Sequence, residues 1–518
     1  MSRFNTSTKK TVKTVTTHQG GQGFKYEPKV ELVSLLATGI DNKFYEKESD
    51  RSNRLAQVID EVAKTDKTFV AKALVYARTV MGQRTVTHLG AVEIAKHLSG
   101  LDLGKRFFSK RGRKENRGGI IFRLDDMLEI TACYQAKNPG KGLSNAIKKG
   151  FKAALEAADE YELAKYQAKG KDVSLVDIVN LVHPKPSEKM KPVFEKLMKG
   201  ELKQFNTVED KNTSAGQEVA KKVKEGKITK EEAAKELTEA KEANFTELIR
   251  SRKIGYLALL RNLRNILKNT SDKQLIKDAC ELLTDEKFVR KSLVFPHQID
   301  LALEIMLQEF SASQMKEFAT ALNKAYELSI PNLTELFTNG RTAIVYDGSG
   351  SMTTPINVGG KRGSESAIEK AALIAATLAK GIGGDVYEFS NSAKAVRYNP
   401  GDSINTLKNQ FKRAAQGGGT YFGSIFPVLD GSYDRIFVIS DMQGADDVSR
   451  QSSFQSYKTK HGIDPYIYAV DLCGYGTTMF KSKKTFQILG YSADIYELIK
   501  KVELDPKALI KEIEAIEI

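Results

Sequence analysis

The sequence lacks any apolar run that approaches the roughly 20 residues needed to span a bilayer. Its opening stretch, MSRFNTSTKKTVKTVTTHQGGQG, also lacks the hydrophobic core of a secretion signal, so we expect neither a membrane protein nor a secreted one. Cysteine is scarce, and Cys133, Cys280 and Cys473 lie too far apart to form a disulfide framework or a zinc-binding spacing. These absences predict a reducing, cytoplasmic location.

Acidic residues are too few to balance the basic ones. The 518 residues include 80 Lys and Arg against 65 Asp and Glu, which gives a formal net charge of +15. Residues 1–340 carry +14 of this excess and residues 101–200 carry +8, with KRFFSKRGRKENR as the densest cluster. The asymmetry indicates a polyanionic partner, either nucleic acid or an anionic membrane surface, although a solvated basic surface would give the same count. The patchy distribution favours a ligand.

Helical periodicity dominates the chain up to about residue 337. Residues 1–28 are predicted to form a flexible basic tail, because they are rich in Ser, Thr and Gly and contain no acid before Glu27. In residues 29–337, apolar residues recur at helical spacing, as at Leu55 and Val58, and one helical segment follows another. A single core rarely absorbs about 300 residues of helices, so we predict an α-solenoid of stacked helix pairs.

Residues 208–243 differ from the rest of the helical part. They are highly charged and contain no aromatic residue, which is typical of a surface insertion. Thr229 and Glu232 have the spacing of a capping box and predict a short helix within it. We expect this insertion to carry no chemistry of its own.

The period changes after about residue 338. The runs TAIVYD, DVYEFS, DRIFVISD and DPYIYAVDL have the length and composition of strands, and helical stretches such as ESAIEKAALIAATLAKGI separate them. Strands that alternate with helices predict a doubly wound α/β domain over residues 338–518. In such domains, ligands bind at the carboxyl ends of the strands.

One acid and two serines, Asp347, Ser349 and Ser351, follow the first of these strands in a Gly-rich turn. Thr420 stands behind three glycines, and Asp441 ends another apolar strand. Two carboxylates and three hydroxyls at one sheet edge are hard oxygen ligands, which suit an octahedral Mg²⁺ that keeps water at its remaining positions. The sequence therefore predicts a Mg²⁺ site at these five residues.

Catalytic alternatives fit this turn less well. A phosphatase of the haloacid-dehalogenase type needs a second acid in a D-x-D motif, where this chain has Ser349. A nucleophile elbow needs G-x-S-x-G, and neither Ser349 nor Ser351 has glycine two residues away on both sides. A Mg²⁺-dependent hydrolase would also lack a general base, because five of the six histidines lie in the helical part or the tail and His461 lies in a polar turn. We therefore expect a protein that is not an enzyme.

These motifs resemble two known modules. The five candidate ligands have the types and order of the metal-ion-dependent adhesion site of von Willebrand factor type A domains, and this resemblance covers residues 340–518. The helical part resembles the TROVE module of the Ro autoantigen family over about residues 18–335, in segments such as GGQGFKYEPKVELVSLLATG, GQRTVTHLGAVEIA and LAKYQAKGKDVSLVDIVNLVHPKP. A TROVE module followed by a type A domain is the architecture of Ro proteins.

The resemblance to Ro proteins implies HEAT-like repeats that form a ring closed by the α/β domain, and a type A domain whose metal has an open position for an acidic group of a partner. It also implies a non-catalytic, monomeric RNA-binding protein. Single-stranded 3′ ends of misfolded RNA would enter a basic hole, and a small noncoding Y-like RNA would lie on the outer face. Such a ribonucleoprotein would act in RNA quality control or small-RNA stability, with an exoribonuclease as a further partner.

Individual RNA-binding residues follow from the same resemblance. Lys165 and Lys169 in KYQAK and His183 in HPKP correspond to family positions that face RNA. A spacing of i, i+4 would place both lysines on one helical face for successive phosphates, and the histidine could stack on a base. Lysines at this spacing are also often solvated, and HPKP also fits a helix-breaking turn. Further surface candidates are Arg84, Lys110, Arg111 and Arg113.

A second hypothesis belongs to another functional class. The chain would be a metal-dependent protein-interaction adaptor whose helical solenoid binds protein rather than RNA. The uneven charge separates the two hypotheses, because a solenoid that binds protein need not be basic.

Overall fold

The structure is a computed structural model that divides into two compact units. The described residues are 14–40, 43–112, 117–167, 172–202, 219, 222–223, 227–270, 272–292, 294, 296–329, 340–356, 365–446, 449–482, 484–490 and 508–518. The α/β unit contains the described residues of Met1–Ile94, Leu333–Asp402 and Thr406–Ile516. The helical unit contains those of Ala95–Asn332, Ser403–Asn405 and Glu517–Ile518. Residues up to Ile94 therefore pack with the α/β domain, although their sequence pattern is helical.

Helices account for most of the described chain. In chain order they are α1 (Pro28–Thr38), α2 (Glu48–Thr79), α3 (Thr85–Ile94), α4 (Asp102–Phe107), α5 (Leu124–Lys137), α6 (Asn145–Glu156), α7 (Glu160–Lys165), α8 (Leu175–Val182), α9 (Lys191–Met198), α10 (Lys230–Arg250), α11 (Tyr256–Asn269), α12 (Lys273–Leu283), α13 (Glu286–Ser292), α14 (Pro296–Glu309), α15 (Lys316–Leu328), α16 (Ala367–Ile382), α17 (Ile404–Ala414), α18 (Ile425–Val428), α19 (Ser449–His461) and α20 (Ala508–Glu514). Among the residues that the structure describes, no helix is both long and apolar enough to cross a membrane.

The strands are short by comparison. They are β1 (Thr14–Thr16), β2 (Gln22–Lys25), β3 (Arg111–Gly112), β4 (Arg117–Gly118), β5 (Thr342–Asp347), β6 (Pro355–Ile356), β7 (Glu365–Ser366), β8 (Asp385–Phe389), β9 (Ala393–Ala395), β10 (Arg435–Ser440), β11 (Tyr466–Asp471), β12 (Thr477–Thr478) and β13 (Thr485–Leu489). The four apolar runs that predicted strands in the second part of the sequence coincide with β5, β8, β10 and β11.

The helical unit is built from amphipathic helices that pack on their neighbours. Helix α12 packs against α10 and α15, and α11 packs against α14, so each helix buries one apolar stripe in the next layer. In α11, for example, Leu259, Leu263 and Ile266 recur at i, i+4, i+7 and are all buried. The predicted class of stacked helices is confirmed.

Helix α10 begins at the predicted capping box. The Thr229 hydroxyl accepts a hydrogen bond of 3.2 Å from the Glu232 amide, and the Glu232 carboxylate accepts one of 2.8 Å from the Thr229 amide. The helix is 21 residues long rather than short. It continues beyond residue 243 because Phe245 and Ile249 are buried and anchor its last turns in the unit. Residues 203–218 lie outside the described chain.

The predicted flexible tail is wrong for residues 14–28. Strands β1 and β2 form an antiparallel hairpin with Thr14 opposite Phe24, and β2 pairs in turn with β12. The reason is tertiary: Phe24 is buried, and pairing with β12 satisfies backbone groups that a free tail would leave to water. Pro28 then begins α1. Residues 1–13 lie outside the described chain.

A six-stranded sheet forms the centre of the α/β unit. Its order is β13-β11-β10-β5-β8-β9, and all neighbours are parallel except β8 and β9. Helix α16 packs against β5, β8 and β10, while α18 and α19 take part in the apolar core on the opposite face. The predicted doubly wound α/β class is therefore confirmed. From β5 the chain proceeds to β8 on one side and later to β10 on the other, so the topological switch point lies between β5 and β10.

Candidate functional site

The loops at the switch point hold all five predicted metal ligands. Asp347 is the last residue of β5, and Asp441 directly follows β10. The loop that carries Thr420 is tied to the serine turn by two backbone hydrogen bonds, Gly350 N–H to Gly418 O at 2.9 Å and Gly417 N–H to Gly348 O at 2.8 Å. The glycines before Thr420 therefore allow the close approach that the sequence indicated.

The candidate ligands are buried and hydrogen-bonded to each other and to their loops. Asp347, Thr420 and Asp441 are 0% exposed, and the two serines are 3% exposed. The hydroxyls of Ser349 and Ser351 lie 3.2 Å apart. Asp347 accepts hydrogen bonds of 2.8 Å from the Ser349 amide and 2.6 Å from the hydroxyl of Ser440. Asp347, Ser349 and Ser351 thus form one connected polar cluster, and Thr420 and Asp441 are buried on the neighbouring loops.

The two carboxyl groups are electrostatically unfavourable without a counter-charge. Burial raises the pKa of Asp347 to about 6. Burial, reinforced by the negative charge of Asp347, raises the pKa of Asp441 well above its usual range. The Oδ1 atom of Asp441 accepts a 3.0 Å hydrogen bond from the Gln443 amide, and the carboxyl group lies against the Ser351 side chain, but among the described residues its buried Oδ2 atom has no well-formed hydrogen bond. A buried carboxylate oxygen without a partner is costly, and a bound cation would remove that cost.

The donor set fits a hard divalent cation. Its atoms are carboxylate and hydroxyl oxygens, the ligand type that Mg²⁺ prefers. Within the described part of the chain, no three or more His, Cys, Asp or Glu side chains cluster as a metal site. A cation at this position would therefore depend on the hydroxyls of Ser349, Ser351 and Thr420 as well as on the two acids.

Three residues near this cluster were missed by the sequence analysis. Ser440 donates to Asp347, and its position at the end of β10 could have indicated it. Gln19 contacts Thr420 twice: its Nε2 donates to the threonine hydroxyl at 2.7 Å, and its Oε1 accepts from the threonine amide at 3.1 Å. The hydroxyl of Tyr45 lies against the side chains of Ser351 and Gln19. A separation of 401 residues between Gln19 and Thr420 leaves no local signal to find.

Two of the predicted RNA-binding residues are exposed in the helical unit. Lys165 is the last residue of α7, and its ammonium lies 5.7 Å from the ring centroids of both Tyr161 and Tyr166. His183 caps the end of α8 in a left-handed conformation with φ of 46°, so the chain turns sharply there. The sequence HPKP is thus a helix-ending turn, and that turn presents the imidazole to solvent.

An open cleft lies next to His183. It has a volume of about 340 Å³ and is lined by Val179, Pro184, Pro186, Lys191, Phe194, Glu195, Met198 and Lys199. Apolar and proline side chains form most of its wall, and two lysines and one glutamate stand among them. One of these lysines, Lys191, pairs with Glu188. A cleft of this size and composition suits a flat apolar group.

Helix α7 ends at Lys165, and Gln167 turns inward and donates to the carbonyls of Ala164 at 2.9 Å and Leu202 at 3.1 Å. The helical face proposed for Lys165 and Lys169 stays a prediction. Lys169 itself lies outside the described residues, as does Arg113.

The remaining basic candidates are engaged within the protein. Lys110 pairs with Glu162 and donates to the carbonyl of Ala157. Arg111 is only 1% exposed, so its prediction as a surface residue is wrong, and burial lowers the pKa of its guanidinium. It lies in the short β3–β4 hairpin and donates to backbone carbonyls. Arg84 is half-buried directly before α3 in the α/β unit.

The fold and the site define a class of protein in which helical repeats accompany an α/β domain of the von Willebrand type A kind. The chain is similar to the crystal structure of the Deinococcus radiodurans Ro (RSR) protein, with a TM-score of 0.52 and 16% sequence identity. The match covers 92% of this chain and 100% of that chain. No protein-family model matches the sequence, and no curated protein does. The chain therefore has the Ro fold.

Proposed function

We propose that this chain is a non-catalytic RNA-binding protein of the Ro type. Its helical unit would bind single-stranded 3′ ends of misfolded RNA together with a small noncoding Y-like RNA, and it would serve RNA quality control or small-RNA stability. The fold alone does not determine function, so the argument depends on the residues of the helical unit. The observation that carries the proposal is the exposed His183 beside a lysine-lined apolar cleft.

The cleft has the chemistry of a base-binding site. Sequence-tolerant binding of single strands combines aromatic or apolar surfaces for base stacking with cations for phosphates. Here Pro184, Pro186 and Met198 supply apolar surface, and Lys199 supplies charge, while Phe194 is only 6% exposed and Lys191 pairs with Glu188. Lys165 with its neighbour Tyr161, which is 42% exposed, offers a second pairing of cation and aromatic ring. The excess of +8 over residues 101–200 places these groups in the most basic part of the chain.

The buried cluster at the switch point would hold Mg²⁺. Asp347 and Asp441 would supply charge, and Ser349, Ser351 and Thr420 would supply neutral oxygens. When bound, the cation would neutralise the two carboxylates. The Oδ2 of Asp441 supports this assignment, because within the described part of the chain it is a buried acceptor without a well-formed hydrogen bond. The cluster would thus serve binding and stability rather than catalysis.

The proposal is tested by titrating the full-length chain with a fluorescent single-stranded RNA at several salt concentrations. Each phosphate neutralised by the protein contributes about −0.7 to the slope of log K against log salt. We expect a slope of about −2 or steeper, since several lysines would take part. A slope near zero, or no binding, would remove RNA as the ligand and leave the protein-interaction adaptor as the better hypothesis.

A double-stranded DNA of equal length serves as the matched control. Both polymers carry phosphates, but stacking needs unpaired bases. Tighter binding of the single-stranded RNA supports base recognition by the cleft, whereas equal affinity would reduce the interaction to charge alone.

A further inference from the structure

The candidate metal site is covered by the N-terminal hairpin of the same chain. The turn between β1 and β2, residues 17–21, is here called the N-terminal turn. It lies against residues 443–446, which follow Asp441 in the sequence. Two hydrogen bonds hold it there, Thr17 hydroxyl to Gly444 O at 2.6 Å and His18 N–H to Gln443 Oε1 at 2.9 Å, and the backbone N–H of the next residue, Gln22, donates to Asp446 O at 3.1 Å.

The approach of the two segments is close enough to require glycine. A Cβ atom at Gly21 would lie 2.4 Å from the carbonyl oxygen of Gly444 and 2.5 Å from that of Asp446. Both obstacles are backbone atoms, so neither segment could move aside cheaply. The N-terminal turn therefore packs closely against the loop after Asp441.

Gln19 is the residue of this turn that reaches the candidate ligands. Its amide oxygen must face the Thr420 N–H, which is an obligatory donor, and this contact fixes the orientation of the side-chain amide. The Nε2 atom then donates to the Thr420 hydroxyl at 2.7 Å. On its other side, Gln19 lies against the Tyr45 hydroxyl, which also lies against Ser351. One glutamine thus links two of the five candidate ligands.

Three aromatic side chains pack together beside this contact. The His18 ring stacks on Tyr45 with centroids 5.0 Å apart, and the ring of Tyr475 packs edge-on against both, at 5.4 Å from each. The backbone of Phe44 also donates a 2.7 Å hydrogen bond to the hydroxyl of Thr354, just beyond the serine turn. Segments 17–21 and 44–45 together cover the candidate metal site.

We propose that the N-terminal turn is a built-in cover of the metal site, and that Gln19 shields Thr420 from solvent and from an external acidic group. This inference rests on the proposed Mg²⁺ site and adds to it: the group that covers the site comes from the same chain. Gln19 presents an amide N–H to the Thr420 hydroxyl and its oxygen to the Thr420 amide, so it covers this ligand without coordinating the cation itself. An external carboxylate would gain access only when the hairpin is displaced.

The test is calorimetric titration of Mg²⁺ into the full-length protein and two pairs of variants. Gln19→Glu adds a negative charge beside Thr420 and should tighten Mg²⁺ binding about tenfold, because affinity rises with the negative charge of the site. Gln22→Glu adds the same charge to the exposed first residue of β2 and is the matched control, with an expected change of less than about twofold. An equal increase in Mg²⁺ affinity in both variants would show a general electrostatic effect, and it would overturn the proposal that Gln19 covers the site.

A second measurement does not depend on added charge. Mn²⁺ in place of Mg²⁺ reports the water molecules that exchange at the cation through the relaxation rate of water protons. Gln19→Ala should raise the relaxation rate per bound Mn²⁺ clearly above the wild-type value, because removing the cover admits water. Gln22→Ala should leave this rate unchanged. Unaltered relaxation in Gln19→Ala, with the protein folded by circular dichroism, would overturn the proposal.

Failure of the metal site itself gives a different result. If the wild-type protein and all variants bind neither Mg²⁺ nor Mn²⁺, the proposed cation site is wrong, and the cover falls with it. If the wild type binds the cation and the Gln19 variants match their Gln22 controls, the metal site stands and only the cover is wrong.

Discussion

The hydroxyl of Ser440 donates a hydrogen bond of 2.6 Å to Oδ2 of Asp347, and both residues are fully buried. The two residues end neighbouring parallel strands, in which Ile439 pairs with Tyr346 one position earlier. The Ser440 hydroxyl also accepts a 3.0 Å hydrogen bond from the Met442 amide, where the backbone adopts φ of 56°. Sheet pairing therefore orients one carboxylate of the site and shapes the loop that carries the other.

Ser440→Ala should lower both stability and metal affinity. The substitution removes a hydrogen bond to a buried carboxylate and leaves the Met442 amide without its acceptor, which should cost about 1–3 kcal/mol. Urea unfolding in the absence of metal measures the change in the free energy of unfolding. The control is Ser424→Ala, whose exposed hydroxyl donates to the carbonyl of Tyr421, and we expect about 0.5 kcal/mol there. Equal effects of the two substitutions would contradict the special role of Ser440.

Mg²⁺ binding should weaken as the pH falls below about 6. Burial raises the pKa of Asp347 from its ordinary 3.8 to about 6, so in the metal-free protein this group contributes stability that is present below about pH 4 and lost as the pH rises through 6. Mg²⁺ needs the ionised carboxylate, so protons compete with it. Affinity should rise with pH and fall by at least about tenfold per pH unit below 6, because Asp441, whose pKa is also raised, must ionise as well. Calorimetry between pH 5 and 8 measures this change, and a constant affinity would contradict it.

The sheet and its site were largely predictable because their signals are local. Strand β5 coincides with the run TAIVYD, since a strand that is buried on both faces must be continuously apolar. Parallel strands place their carboxyl ends at one edge, so Asp347 and Asp441 could be brought together before any coordinates were known.

What the sequence did not reveal depends on distant partners. The N-terminal hairpin reads as a polar tail, and only pairing with β12, some 450 residues later, makes it a strand. The contact of Gln19 with Thr420 likewise joins residues that are far apart in the sequence. Arg111 lies in a basic cluster that is typical of a solvated surface, yet the packing of the β3–β4 hairpin buries it. Composition cannot separate a buried cation from an exposed one.

Arg111→Ala should destabilise the protein. The buried guanidinium donates to the carbonyl of Gly118 at 2.7 Å and to that of Glu517 at 3.1 Å, and so joins the hairpin to the chain terminus. Losing hydrogen bonds from a charged donor should lower the free energy of unfolding by about 2–4 kcal/mol. Thermal melting measures the loss. Arg106→Ala is the control, because this arginine is exposed and should cost less than about 1 kcal/mol. A melting temperature equal to that of the control would contradict the buried role of Arg111.

His183→Ala and Lys165→Ala should weaken RNA binding in different ways. Loss of base stacking by the histidine should cost about 1–3 kcal/mol at every salt concentration. Loss of the lysine should remove one phosphate contact and make the salt slope less steep by about 0.7. Fluorescence anisotropy with single-stranded RNA measures both effects. The control is Lys268→Ala, since this lysine is paired with Glu309 and its removal should leave the slope unchanged. Identical slopes for both lysine variants would exclude Lys165 from the RNA contact.

Asp347→Asn should separate the two proposed sites. Asparagine preserves the shape of the side chain and an acceptor for Ser440, but it removes one of two charges from a site that otherwise depends on Asp441 and neutral hydroxyls. We expect Mg²⁺ binding to fall below detection while the metal-free variant melts close to the wild-type temperature, because removal of a buried charge with a raised pKa offsets the loss of the acceptor for the Ser349 amide. RNA affinity should stay within about twofold of wild type, since the proposed RNA contacts belong to the helical unit. Calorimetry with Mg²⁺ and an RNA gel shift on the same preparation measure both properties. If the folded variant lost RNA binding together with Mg²⁺, the cation would have to contribute to the RNA site, and the assignment of separate functions to the two units would be wrong.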